Sequence, residues 1–408
     1  MVKKNFDVLI IGGGMVGLSI AHQLKIRNLY SNIAIIEKES EIGLHSSGRN
    51  SGVLHAGIYY EPNSLKAKVC VSGSQRLKEW VTYHKLNINK CGKIIVPQAY
   101  ELDDQIDNLL KRGISNGAKV EVIDQKTLTS IIPEASSATG RALWSPETSV
   151  VNPKEVIKKL ESILREWGVN FFLEESNWKL NLNKREILLK DSSHINYGNC
   201  INCSGLNADI TAKKFGVGKE YKMIPFKGIY WNLKKESNLK IKTNLYPVPD
   251  INMPFLGVHF TPNCNPYNEV TIGPTATPAL GRENYYGIEN FEPINTIKNL
   301  SFMSRQYLEN KNGIRKYVNE QMFLSIPYLF LKSAQKLIPS LKKEDIYPSK
   351  KVGIRPQLCN LINGKIEKDF ICKEGPSSIH ILNAISPAFT ASFSFADLII
   401  DNYLINKK

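Results

Sequence analysis

Three glycines and one acid carry the clearest chemistry in this sequence. Gly12, Gly14 and Gly17 stand in the spacing Gly-x-Gly-x-x-Gly, directly after the apolar run 6–11 and ahead of a helical stretch over 18–27. Glu37 closes the next apolar run, 20 residues beyond Gly17. A dinucleotide needs this set. Gly12 permits a tight turn, Gly14 lets the backbone approach a diphosphate, and Gly17 lets helix and strand pack closely. Met15 and Val16 then head a helix whose free N–H groups and dipole attract the anion. Glu37, with Lys38 beside it, is placed to meet ribose hydroxyls. NAD and FAD share such a cradle. Its place near the N-terminus, with a second cofactor-side strand late in the chain, favours FAD.

The elements around these residues form a βαβ unit, with strands over 6–11 and 33–36 flanking the first helix. Residues 43–64 follow as a polar loop of Gly, Ser, Asn, His and Tyr, too long for a plain connection and so suspected of function. Helices are expected over 65–86, 102–116, 126–132 and 153–168, the last capped by Asn152 with Pro153 at its first position. Residues 171–189 alternate as strands, and 197–203 reads as an apolar strand running into Ser204 and Gly205. Strands over 226–233, 254–261 and 269–272 belong to a separate sheet. The segment 292–343 reads as helical, and a last helix spans 392–403. Cys200 and Cys203 form a lone C-x-x-C on a strand. Residues three apart on a strand face opposite ways, and no second pair or His cluster accompanies them. A metal site is therefore not expected.

The chain has 408 residues, a length that fits two structural domains, and 42% hydrophobic content, an ordinary globular composition. Its net charge is +15, but the charges are scattered and form no stripe. They read as a lysine-rich composition, and no nucleic-acid partner is expected. Seven cysteines in no dense pattern argue against a disulfide framework and fit a reducing compartment. The start reads as strand and helix in place of a signal peptide, and no apolar run is long enough to cross a membrane. The expected location is cytoplasmic. In the segment 315–343, Phe323, Leu324, Tyr328 and Leu329 mix with lysines. Weak peripheral contact with the inner face of a membrane is one reading, and core packing is the other.

The polar loop reads His45-Ser-Ser-Gly-Arg-Asn-Ser-Gly-Val-Leu-His-Ala-Gly-Ile-Tyr-Tyr60. It resembles the L-2-hydroxyglutarate dehydrogenase/oxidase family, within the D-amino-acid-oxidase-like FAD flavoproteins. The likeness continues through Ser64-Leu-Lys-Ala-Lys68, Cys91-Gly-Lys-Ile-Ile-Val96, Tyr246-Pro-Val-Pro-Asp250 and Pro254-Phe-Leu-Gly-Val-His-Phe-Thr261. It ends with Gly273-Pro274, Gly353-Ile-Arg355 and Asn383-Ala-Ile-Ser-Pro-Ala388. Ser46, Ser47 and Arg49 replace the family's usual Gln, Thr and His. Pro225-Phe226-Lys227-Gly228-Ile229-Tyr230 has Lys for Arg and Ile for Glu.

The resemblance implies oxidation of an L-2-hydroxy acid, with L-2-hydroxyglutarate leading. Oxidation of an amine, an amino acid or another hydroxy acid on the same scaffold is the alternative. Hydride goes to the flavin while a base takes the hydroxyl proton, and a base titrating near neutrality favours His. His55, in the polar loop, is the first choice. His259, on a strand of the second sheet, is the second, and His22 reads as structural. Arg355 and Lys227 are candidates to hold two carboxylates, and Tyr59, Tyr60 and Tyr246 to add hydroxyl contacts. His45, Ser46, Ser47, Arg49, Asn50, Ser51 and Gly52 are expected along the cofactor, with Ser204 and Gly205 on its diphosphate side. Ser386, Pro387, Ala388, Phe389 and Thr390, with Arg355, are expected at the flavin ring.

The expected fold is α/β. A doubly wound, Rossmann-like FAD-binding domain is assembled from 1–90, 150–222 and 345–408. An α+β substrate domain with a mixed or antiparallel sheet takes 91–149 and 223–344. The expected partners are a small hydroxy acid and an electron acceptor, whether oxygen, a quinone or an electron-transfer protein.

Overall fold

A computed structural model describes residues 3–249, 256–264, 269–310 and 314–405. Asp250 and the beginning of the strand expected over 254–261 lie outside the described residues. The first sheet grows from Lys3–Ile11, which is exposed at its start and buried from Val8 onward. It pairs in parallel with Ile33–Ile36 on one side and His194–Asn202 on the other. Asn170–Phe172 and Ser378–Ile381 extend the parallel set; the first forms one edge, and antiparallel strands lie at the other. Ile33–Ile36 is buried at every position, as a strand covered on both faces must be.

Helices Met15–Ile26, Leu65–Tyr83, Pro153–Glu166 and Ser392–Ile400 cover one face of this sheet through a shared apolar core. The other face packs on Trp178, Ile187 and Phe215. Asn152 caps its helix as expected, accepting from the Lys154 amide at 3.1 Å. Cys200 packs in the second of these clusters and Cys203 against the first, so the pair does point to opposite faces.

The second sheet has nine strands and is mostly antiparallel. Its spine is the ladder between Tyr221–Leu233 and Ile346–Asn360. This differs from the expected boundary at 345. The long strand after Asp345 belongs to the second sheet, and the chain returns to the first only at Cys372–Gly375 and Ser378–Ile381. The helical segment resolves into Pro293–Glu309, Ile314–Phe323 and Pro327–Gln335. Phe330, Leu331 and Ala334 of the last helix enter the core of the second sheet. A three-stranded sheet of Val53–Leu54, Ser149–Val151 and Ile88–Asn89 ties the polar loop to the scaffold.

Candidate active site

The glycine turn is built as the spacing implies. Gly12 has φ +112°, and a Cβ there would stand 2.5 Å from the Cys203 carbonyl oxygen. Gly17 has no room for a side chain because the Gly12 carbonyl lies against it. The Glu37 carboxylate accepts from the Gly13 amide at 2.8 Å and the Glu39 amide at 3.1 Å, tying turn to strand end. The helix start has no acidic residue in its first turn and no side chain of its own as a cap. Ser47 reaches it from the polar loop, its Oγ accepting from the Met15 amide at 2.9 Å.

Two cavities adjoin at this helix start. One, of about 320 Å³, is lined by Gly12, Gly14, Glu37, Lys38, His45, Ser204 and Gly205. The other, of about 270 Å³, is lined by Met15, Val16, Arg49, Asn50, Ser51, His55, His259, Arg355 and residues 386–390. Ser46 and Ser47 line both. An extended dinucleotide fits this layout, with its diphosphate at the amide-rich turn and its two ends in the two cavities.

On the first side, His45 bonds the Tyr285 hydroxyl at 2.8 Å and Glu39 at 2.9 Å. Lys38 pairs with Glu39 and, at 2.6 Å, with Glu283, so an ammonium already sits among these acids. Ser204 donates to Asn202 Oδ1 at 2.6 Å. Asn50 donates to the Ser46 and Ser47 carbonyls and accepts from the Gly52 amide, which sets the loop's curvature.

On the second side, His55 is partly buried and lines this cavity. Its Nε2 lies 3.4 Å from Ser386 Oγ, and its Nδ1 is buried without a hydrogen-bond partner. Burial above all, then the neighbouring Lys93, His259 and Lys66, hold its imidazole well below the ordinary value. His55 is therefore neutral near pH 7. Burial pushes His259 down to about 3, against a raising contribution from its bond to the Gly257 carbonyl. That bond, at 2.8 Å from Nδ1, makes Nδ1 the protonated nitrogen. Its ring stacks on Tyr246, 3.8 Å between centroids.

The structure does not bring every expected residue to the cavities. Lys227 is the main correction. Phe226 and Gly228 line the second cavity, and the two-residue period of the strand turns Lys227 away, onto Asn284 Oδ1 at 2.6 Å. Gly52 lines neither cavity; its φ of +76° lets the backbone pass the Val151 carbonyl. Tyr60 stands behind the lining and meets it through Ser386. Arg49 lies with its guanidinium 4.0 Å above the Tyr285 ring.

Two groups had no role assigned from sequence. Lys66 and Lys93 are both buried close to the site, and burial lowers each to about 7. The signal for Lys93 was a lysine heading the otherwise apolar run Lys93–Val96, whose four positions are all buried.

With this geometry in place, likeness to known proteins decides the family. A family model described as FAD dependent oxidoreductase matches residues 7–402. The chain belongs to this family. FAD is accordingly its cofactor. Among curated relatives of this FAD-dependent oxidoreductase is an L-2-hydroxyglutarate dehydrogenase of Caenorhabditis briggsae, described as mitochondrial. It is 36% identical over 97% of this chain and 92% of its own length. The L-2-hydroxyglutarate dehydrogenase of Indibacter alkaliphilus is 34% identical over 97% and 98%. The human mitochondrial one is 31% identical over 98% and 88%. Among solved structures, FAD-bound L-alpha-glycerophosphate oxidase from Mycoplasma pneumoniae matches at TM-score 0.72 and 20% identity, covering 97% and 93%. Glycine oxidase from Geobacillus kaustophilus matches at 0.70 and 16%, covering 97% and 94%. These two show the shared fold.

Proposed function

We propose that this FAD-dependent oxidoreductase converts L-2-hydroxyglutarate to 2-oxoglutarate. The first sheet and its helices hold the cofactor, and the second sheet supplies most of the substrate wall. When bound, FAD supplies the two-electron acceptor for the carbinol C–H bond. His55 takes the hydroxyl proton at Nε2, the nitrogen beside Ser386. Arg355 holds one substrate carboxylate, and the Tyr246 hydroxyl and Nε2 of His259 border the rest of the substrate. Gly12, Gly14, Met15 and Ser47 hold the diphosphate, and Ser204 and Gly205 lie along it. Residues 386–390 border the flavin.

The single observation that carries this reading is the second cavity itself. A neutral, partly buried imidazole and a guanidinium line one apolar space next to the dinucleotide turn, and two buried lysines stand close by. A base beside a guanidinium suits an anionic hydroxy acid. The end-to-end likeness to L-2-hydroxyglutarate dehydrogenases supports the same substrate. The test is turnover of the FAD-loaded protein with a redox dye as acceptor. One 2-oxoglutarate is expected per two-electron dye reduced with the L-enantiomer, and little with the D-enantiomer, glycolate or sarcosine. No 2-oxoglutarate from the L-enantiomer overturns the assignment.

A separate acceptor must re-oxidise the cofactor. Among the described residues no helix is long and apolar enough to cross a membrane. Peripheral contact is a further part of the proposal, supported by Phe323, Ile326 and Tyr328, which are exposed on neighbouring turns. Co-sedimentation with anionic liposomes supports it if Phe323→Ser with Tyr328→Ser weakens the binding. Absence of wild-type sedimentation removes it.

A further inference from the structure

Lys93 sits where a lysine is costly to keep. It heads a strand paired with Asn244 on one side and Ser145 on the other, and 1% of it is exposed. Its Nζ lies 4.0 Å from the centroid of the Tyr246 ring and 5.3 Å from that of Tyr59. His259 already covers one face of Tyr246 at 3.8 Å. The ammonium takes the other face. Tyr246 and His259 both line the substrate cavity, so Lys93 stands one ring's thickness behind its wall.

No carboxylate among the described residues pairs with Lys93. The titratable groups that face it come from several elements. His55 and His259 are neutral, and the phenols of Tyr59 and Tyr246 are pushed up by burial. Burial likewise pushes the thiols of Cys70 up to about 12 and Cys91 up to about 11. Lys66 is a second buried amine, lowered to about 7 by burial and by Arg355 against the opposing charge of Asp369. Lys93 has no such carboxylate among the described residues. A buried charge without a partner is unfavourable, so the amine loses its proton readily.

We infer that Lys93 is a positioning residue that supplies the missing counter-charge for a second substrate carboxylate, taking up a proton from solvent as a dianion enters the cavity. The cation beneath Tyr246 holds that ring in place and sharpens its hydroxyl as a donor. Arg355 serves one carboxylate, and Tyr246 with Lys93 behind it serves the other. This rests on the dicarboxylate reading above. It also replaces Lys227, which points elsewhere, as the second cation.

The consequence is a proton balance. At pH near 8 Lys93 is mostly neutral in the free protein and charged in the complex. Binding of 2-oxoglutarate to the FAD-loaded protein should therefore take up a fraction of a proton per site, read with an indicator dye in weak buffer. Binding itself is read from the flavin spectrum. Lys93→Met should lower the uptake and weaken binding by about tenfold. Lys93→Arg, charged at every working pH, should also lower the uptake yet keep binding, and is decisive if Lys93→Met fails to fold. Binding with the same uptake in both variants, or with none in the wild type, overturns the inference alone. A wild type that binds no 2-oxoglutarate removes the dicarboxylate reading and this inference with it.

Discussion

Two imidazoles share the substrate cavity, and their hydrogen bonds give them different work. His259 is committed to the Gly257 carbonyl and to the face of Tyr246. Among the described residues the His55 ring has the long contact to Ser386 at Nε2 and can receive a proton. Replacing His55 by Gln should lower kcat by about 10²–10⁴-fold while FAD content stays unchanged, measured by the visible absorbance of the purified protein. A loss below tenfold would move the base elsewhere. The depressed affinity of His55 for protons has a definite sign. The base is already deprotonated below its ordinary value, so kcat/KM should stay flat as pH falls through the ordinary histidine value. An acid limb centred near the ordinary histidine value would contradict this. At this scale His55, His259 and Arg355, singled out from local motifs, all line the second cavity. The sequence misdirected Lys227, since which face of a strand looks inward depends on the partner sheet.

The glycine turn is the element most legible in one dimension. Strand, turn, helix and acid lie within the first 37 residues, and each step has its own residue signature. The structure adds the reason for Gly12, whose positive φ and contact with the Cys203 carbonyl leave no place for a side chain. Gly12→Ala should cost about 3 kcal/mol of stability and lower the FAD retained on purification by at least several-fold. Retention equal to wild type would show that the turn does not set the cofactor's place. The ladder between Tyr221–Leu233 and Ile346–Asn360 was the least legible element. Its two strands are more than a hundred residues apart, and nothing in either names the other. That pairing brings Arg355 opposite Phe226 and so completes the cavity wall.

For the molecule as a whole, buried histidines tie stability to acidity. Burial lowers His22 and His380 to about 4 and His259 to about 3. The unfolded chain binds protons at these sites near the ordinary value, and the folded protein does not. Stability is therefore full above about pH 6.5 and falls as pH drops toward 4, with each histidine contributing on the order of 3 kcal/mol. The thermal midpoint should decline by many degrees across that window, and a midpoint independent of pH there would contradict the burial of these rings. Fold class and cofactor were visible in the sequence at this scale because motifs recur in order along nearly the whole chain. The limits of each sheet were not, because the chain crosses between them several times. The central claim joins both sheets, with a cofactor on one and a hydroxy acid against the other. Its most direct test is to add L-2-hydroxyglutarate to the FAD-loaded protein without oxygen and watch the visible flavin band. The account predicts that the band bleaches with the L-enantiomer at millimolar concentration and persists with the D-enantiomer. A band left intact by the L-enantiomer but bleached by an amine or amino acid would contradict it.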